Sequence, residues 1–323
     1  MTYYLVTGAA GFIGWKVSEF LLKEGHSVLG IDELNSAYDV QLKEWRLKTL
    51  KTYSNFVFYR LNLVDWEGLR DLFEKYSIKA VIHLAARAGV RQSLEDPWVY
   101  IDSNITATLN LLELMKKYHI NKMVLASTSS VYAGQNPPYH EALKVDTPLS
   151  PYAATKRSAE LLAYTYHYLY GLDISVVRYF TVYGPAGRPD MSIFRFIKWL
   201  LEDKPLEIYG DGTQARDFTY IDDIAKGTLL ALKPLGYEII NLGGGRNPIS
   251  INRVIELLEE LLGKRAIRHY KEFHRADVKI TWAEIEKAKR LLQWEPEISL
   301  EEGLKRTVKW SLENLDLLKS IQI

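Results

Sequence analysis

Cysteine is absent from the 323 residues, which removes disulfides, thiolate nucleophiles and Cys-ligated zinc together. The seven histidines are scattered, with no H-E-x-x-H or comparable spacing, so no metal site is expected. Net charge is scarce as well. The 41 Lys and Arg against 40 Asp and Glu leave +1, and no tail or stripe of one sign argues for nucleic acid or an anionic membrane. No uninterrupted apolar run is long enough for a bilayer, and Met1-Thr2 passes straight into Tyr3-Tyr4-Leu5-Val6 with neither a basic leader nor a cleavage site. The expectation is a soluble, cytoplasmic protein without nucleic-acid or membrane partners.

What is present begins with a strand. Residues 3–6 are apolar, and Thr7-Gly8-Ala9-Ala10-Gly11-Phe12-Ile13-Gly14 turns the chain into a helical pattern carried by Val17, Phe20, Leu21 and Leu22 and closed by Gly25. A strand, a glycine turn and a helix bring backbone N–H groups to a helix N-terminus, where they can hold a pyrophosphate; glycine is needed where a side chain would collide. The spacing is G-x-x-G-x-x-G, not G-x-G-x-x-G, and an ordinary tight turn is the plainer alternative. The next strand, 27–31, ends at Asp32, where a carboxylate can accept from the ribose of an adenosine and repel a 2′-phosphate. That favours NAD over NADP, with a solvated strand end as the alternative for Asp32.

Apolar runs and periodic helices then alternate: strand 55–59 and helix 66–76, strand 80–84 and a long helix from about 98 to 118, then strand 122–126. This predicts an α/β fold, a Rossmann-type doubly wound parallel sheet, with ligands outside the carboxyl ends of the strands. The length suits such a domain with a smaller C-terminal annex. His83, at one strand end, reads as a satisfied structural histidine. The run Gly243-Gly244-Gly245 lacks a following helix at the right distance and is not read as a second phosphate cradle. Charged helices are expected over 282–292 and 300–318.

The stretch 127–156 carries the chemistry. It holds Ser127-Thr128-Ser129-Ser130, a loop with Pro137, Pro138 and Pro148, and Tyr152-Ala153-Ala154-Thr155-Lys156 at a helix start. Four residues apart is one helical turn, so Tyr152 and Lys156 share a face. An ammonium beside a phenol favours the phenolate and makes Tyr152 a candidate base. Tyr118 and Lys122 have the same spacing, but there a helix ends and a strand begins, so those two need not share a face. For Ser129 and Ser130, capping of the strand-to-loop turn is the plainer reading.

Together, Thr7-Gly8-x-x-Gly11-x-x-Gly14, His83-Leu84-Ala85-Ala86, the hydroxyl cluster and Tyr152-x-x-x-Lys156 resemble the extended short-chain dehydrogenase/reductases of the nucleotide-sugar epimerase and dehydratase group, over essentially the whole chain. Four stretches resemble the UDP-glucuronate 4-epimerases within that group: Ala88-Gly89-Val90-Arg91-Gln92-Ser93, Asp102-Ser103-Asn104-Ile105, Tyr183 to Met191 and Arg216 to Ile224. The segment from Asp32 to Arg46, with Tyr38-Asp39 and Leu42-Lys43, is similar too.

The resemblance implies that NAD stays bound. Gly8, Gly11, Phe12, Ile13, Gly14, Asp32, Asn62, Leu63, Leu84, Ala85, Ala86 and Asn104 would hold it, with Tyr152 and Lys156. Asn62 stands where the family usually carries Asp. The implied chemistry is transient oxidation at C4 of a UDP-sugar, with Tyr152 as base, Lys156 as its electrostatic tuner and Thr128 as proton bridge. Arg91, Ser129, Ser130, Thr181, Arg216 and Asp277 would bind substrate. Arg188 is offered equally to a pyrophosphate or to a surface ion pair, and Arg275 is a further phosphate candidate. The implied division is an NAD-binding domain over 1–178, to which 218–240 returns, and a mainly nucleotide-sugar-binding region over 179–323. A homodimer through a four-helix bundle is implied, with Tyr164, Tyr166, Tyr168 and Tyr170 as interface or core.

Three other activities stay in view. Neutral-sugar 4-epimerases, acting on UDP-glucose or UDP-N-acetylglucosamine, share most of the apparatus. A UDP-glucuronate decarboxylase is countered by Ser130, where that family places Glu. A non-catalytic dinucleotide-sensing scaffold is countered by the intact Thr128, Tyr152 and Lys156.

Overall fold

Strands apolar at consecutive positions, such as Ala80-Val81-Ile82 and Met123-Val124-Leu125, have no face to offer water and need cover on both sides. The computed structural model, which describes residues 1–273 and 277–323, gives them that cover. β1 (Thr2–Thr7), β2 (Ser27–Asp32), β3 (Phe56–Arg60), β4 (Ser77–His83), β5 (Lys122–Thr128) and β6 (Asp173–Tyr179) join an edge strand, Tyr237–Leu242, in one parallel sheet. Its spatial order is the edge strand, β6, β5, β4, β1, β2, β3. The chain leaves β1 toward β3 and then crosses back to β4, so a topological switch lies between β1 and β4, where open α/β sheets bind ligands. Buried clusters fill both faces, one built on Leu5, Leu29, Leu111 and Met123, the other on Val6, Val124, Val177 and Ile224.

The helices are placed by local signals. α1 (Phe12–Lys23) opens at Gly11, α2 (Val40–Leu50) is capped by Asp39 accepting from Gln41 N, and α3 (Trp66–Lys75) by Asp65 accepting from Gly68 N. The helix Pro151–Tyr170 begins with Ser150 Oγ accepting from Ala153 N and a proline in its first turn, and it ends on Gly171 in the left-handed conformation, φ 70°. Those two signals place Tyr152 and Lys156 on successive turns at the sheet's carboxyl edge.

The long helix expected from 98 to 118 is continuous but widens to a π turn over Ile101–Thr106 before Ala107–Lys117. The helix expected over 282–292 begins only at Glu286. Residues 282–284 run extended because Tyr139 N donates to Trp282 O, Glu284 N to Tyr139 O, and Ala283 N to the buried Asp217. The expected final helix is two, Leu300–Glu313 and Leu315–Ser320, parted at Asn314. Beyond β6 the chain adds three two-stranded pairings: Thr181–Tyr183 with Phe218–Tyr220, Ala215–Arg216 with Ile249–Ser250, and Leu206–Tyr209 with Arg268–Lys271. Among the described residues no helix is long and apolar enough to cross a membrane.

Candidate active site

The glycine turn is dictated by backbone crowding. A Cβ on Gly14 would run into the Gly8 carbonyl oxygen, one on Gly11 would lie 2.9 Å from that same atom, and Gly8, at φ +69°, packs against the Ala85 backbone. Close packing leaves the N-terminus of α1 without a side-chain cap, open toward a cavity of about 260 Å³. At the end of β2, Asp32 is held by Ala10 N (3.1 Å) and Leu34 N (2.9 Å), so its carboxylate is fixed at the cavity wall. Lys156, also buried, lines the same cavity. An uncapped helix start, a fixed carboxylate and a buried cation suit the pyrophosphate and the two riboses of NAD. These residues fit the cofactor.

This cavity brings together Gly8, Gly11, Phe12, Ile13, Gly14, Asp32, Asn62, Leu63, Leu84, Ala85, Ala86, Tyr152 and Lys156. Asn104 lies apart from it. Its amide is spent on Arg87 N (2.9 Å), Arg87 O (3.1 Å) and Thr155 Oγ1 (3.0 Å), so it clamps the loop after β4 to the Tyr152 helix. Asn62 donates to Glu33 at 2.9 Å. Sequence reasoning did not single out Asn35 as lining this cavity, nor Lys43 as a wall residue. Lys43 is buried, donates to Asn35 O and Oδ1, and burial draws its pKa down; only its place in the Asp32 to Arg46 segment signalled it.

A second cavity, about 610 Å³, adjoins the first. Thr128, Tyr152, Tyr179, Phe180 and Arg188 line both. Arg91, Ser129, Ser130, Thr181, Arg216 and Asp277 all line the second; Arg275 falls outside the described residues. Arg91 pairs with Asp277 and lies 3.8 Å above the Tyr209 ring. Tyr209 had no sequence signal. Arg188 is ion-paired with Asp190 and lines both cavities. Arg216 spends Nη1 on Ala215 O and Lys279 O, and burial lowers its pKa. The local capping considered for Ser129 and Ser130 is done by Thr128, whose Oγ1 accepts from Ser130 N at 3.1 Å and donates to Ser130 Oγ at 3.2 Å.

At the junction, burial pushes the Tyr152 phenol above its ordinary pKa, while a hydrogen bond with Thr128 and the charge of Arg188 pull the other way. Burial draws Lys156 down to about 8, and Glu160 opposes that. Arg188, which lines both cavities with Tyr152, is the charge that favours the phenolate. Elsewhere, His83 sits between Thr7 Oγ1 (2.7 Å) and Thr108 Oγ1 (3.1 Å), a satisfied structural histidine. In the glycine run 243–245, Gly245 N donates to Asp217, which burial raises to about 6.

Two adjoining cavities that share one phenol on their walls, the first suited to a dinucleotide, describe an enzyme that uses such a cofactor to act on a second, polar molecule. Comparison with known proteins narrows this. The chain belongs to the NAD dependent epimerase/dehydratase family, whose model matches residues 4–243. A UDP-glucuronate 4-epimerase of Thermodesulfobacterium geofontis is 74% identical over 323 residues, with 100% of both chains covered. The crystal structure of UDP-glucuronic acid 4-epimerase from Bacillus cereus, in complex with UDP-glucuronic acid and NAD, has a TM-score of 0.91 at 42% identity, covering 97% of this chain and 99% of that one. The UDP-glucose 4-epimerase of Thermotoga maritima, solved with UDP-glucose, has a TM-score of 0.88 at 34% identity over 98% of this chain and 100% of its own.

Proposed function

We propose that this protein is a UDP-glucuronate 4-epimerase, interconverting UDP-glucuronate and UDP-galacturonate with tightly held NAD. The observation that carries it is the end-to-end identity with the Thermodesulfobacterium epimerase. When bound, NAD+ would supply the acceptor for the C4 hydride and, once the 4-keto sugar has swung round to present its other face, the donor that restores it. Gly8, Gly11, Gly14, Asp32 and Lys156 hold the cofactor. Tyr152 takes the O4 proton and gives it back, with Thr128 Oγ1 as the bridge. Since no electron or proton leaves overall, cofactor release serves no purpose.

The uronate raises a hazard that the second cavity answers. Oxidation at C4 turns the C5 carboxylate into part of a β-keto acid, which loses CO2 when the C5 to carboxyl bond aligns with the carbonyl π system. Thr128, Ser129, Ser130 and Thr181 set hydroxyls on this cavity's wall, and their directed hydrogen bonds hold the carboxylate out of that alignment. Arg216 and Arg188 take the pyrophosphate, an anion suited to fork-shaped guanidinium donors. Residues 1–178, with 218–240, act as the cofactor domain and the rest mainly as the sugar-nucleotide domain.

A cytoplasmic homodimer completes the reading. Trp98, 78% exposed, and Tyr168, 75% exposed, lie with Leu161 and Tyr164 on the two helices that would pair, whereas Tyr166 is buried. The test is incubation with UDP-glucuronate, UDP-glucose and UDP-N-acetylglucosamine separately, without added NAD, products resolved by NMR. UDP-galacturonate from UDP-glucuronate is the expected product. Conversion of the neutral sugars alone would overturn the uronate assignment, and evolved CO2 with a UDP-pentose would establish a decarboxylase.

A further inference from the structure

Behind the reaction cavity lies a buried polar network that the chemistry above leaves without a task. Glu160 stands one turn after Lys156 on the Tyr152 helix and is wholly buried. Its Oε1 accepts from Ser127 Oγ at 2.6 Å and Arg178 Nε at 2.9 Å, its Oε2 from Arg178 Nη2 at 2.7 Å and Arg157 Nη1 at 2.9 Å. Ser127 precedes Thr128 at the end of β5, and Arg178 precedes Tyr179 on β6. Arg178 Nη1 donates to the Tyr132 phenol at 2.8 Å, which donates to Asn241 Oδ1 in the edge strand at 2.8 Å. One carboxylate therefore ties the ends of β5 and β6 directly, and the edge strand through Arg178 and Tyr132, to the helix that presents Tyr152 and Lys156.

A fully satisfied buried network is rigid. Rigidity counts here because a misplacement of about 1 Å between reacting groups can cost about a hundredfold in rate. We propose that Glu160 is a positioning residue for the reaction: it fixes Ser127, and with it Thr128, against the Tyr152 helix, and it sets a negative charge one helical turn from Lys156. The proposal rests on the epimerase reading.

The titratable groups around Lys156 are Glu160 and Tyr152 on its own helix and His83 on β4. His83 contributes no charge, since burial and the Lys156 ammonium hold it down to about 3. Burial draws Lys156 down to about 8 and Glu160 opposes that, so removing the carboxylate lowers the pH at which the ammonium is lost.

The experiment uses the NAD-loaded enzyme and the pH profile of kcat for UDP-glucuronate. If the wild type does not epimerise, the functional reading fails; if it does, the variants judge the network alone. Glu160→Gln should lower kcat about tenfold or more with KM little changed, and move the alkaline limb down by about half a pH unit or more. Because that variant leaves Arg178 buried without its partner, Glu160→Gln with Arg178→Gln removes both charges together; it should lower kcat likewise, with a smaller shift of the limb, because the lost guanidinium charge offsets the lost carboxylate. Ser127→Ala keeps every charge and should lower kcat with the limb unmoved. An unmoved limb in Glu160→Gln, wild-type kcat in the double variant, or wild-type kcat in Ser127→Ala overturns the proposal.

Discussion

At Tyr152 two tendencies oppose each other: burial holds the proton on the phenol, while Thr128 and Arg188 ease it off. A base placed this way should account for most of the turnover and little of the binding. Tyr152→Phe is expected to lower kcat by about a hundredfold to ten-thousandfold, while the NAD released on denaturing the purified protein stays at the wild-type amount. An active variant would mean the base is another group. The neighbouring hydroxyls have a different signature, because their task is to prevent a reaction. Ser130→Ala removes one donor and, with it, the Thr128 bond at 3.2 Å. We expect a measurable UDP-pentose by-product from UDP-glucuronate, absent from wild type, read by NMR after long incubation; a clean epimer mixture would assign the carboxylate to other hydroxyls.

Among the elements, the glycine turn shows how tightly backbone packing sets the cofactor seat. Gly14→Ala drives a Cβ into the Gly8 carbonyl, and either α1 shifts or the turn opens. Reduced NAD content in the purified protein, together with a thermal midpoint lower by several degrees, is the expected result; full NAD content at an unchanged midpoint would show that the turn adapts. This turn, the parallel strands and the Tyr152 helix were legible because each carries its own local signal: glycine spacing, consecutive apolar residues, and Ser150-Pro151 opposite Gly171. The pairings beyond β6 were not. A strand of two or three residues, such as Ala215–Arg216, has no period to read, and the extended 282–284 segment owes its form to Tyr139 and Asp217, far away in sequence. The contacts of Asn104 were hidden for the same reason. Its role depends on a π turn and on Arg87 and Thr155, which no spacing announces.

For the whole molecule, the two cavities lie on a sheet whose strands are held together by buried polar groups as well as by apolar packing, and one of those groups couples the fold to pH. Thr108 Oγ1 donates to Asn104 O, so it must accept from His83 Nε2–H, which leaves Nδ1 to accept from the Thr7 hydroxyl. Protonation would put a second hydrogen where Thr7 points its own. In agreement, burial and the Lys156 charge lower the His83 pKa from 6.5 to about 3. The unfolded chain therefore binds a proton below about pH 6.5 that the folded chain refuses until about pH 3, and stability falls as pH drops through that window, by up to about 1.4 kcal/mol per pH unit. Asp217, raised to about 6, works the opposite way because the folded chain takes its proton more readily, so the His83 contribution is read from the difference between a His83 variant and the wild type. His83→Gln should start less stable at pH 7 and lose less between pH 6 and pH 5 than the wild type, measured by urea unfolding at each pH; equal losses would show that His83 is not what destabilises the fold in mild acid.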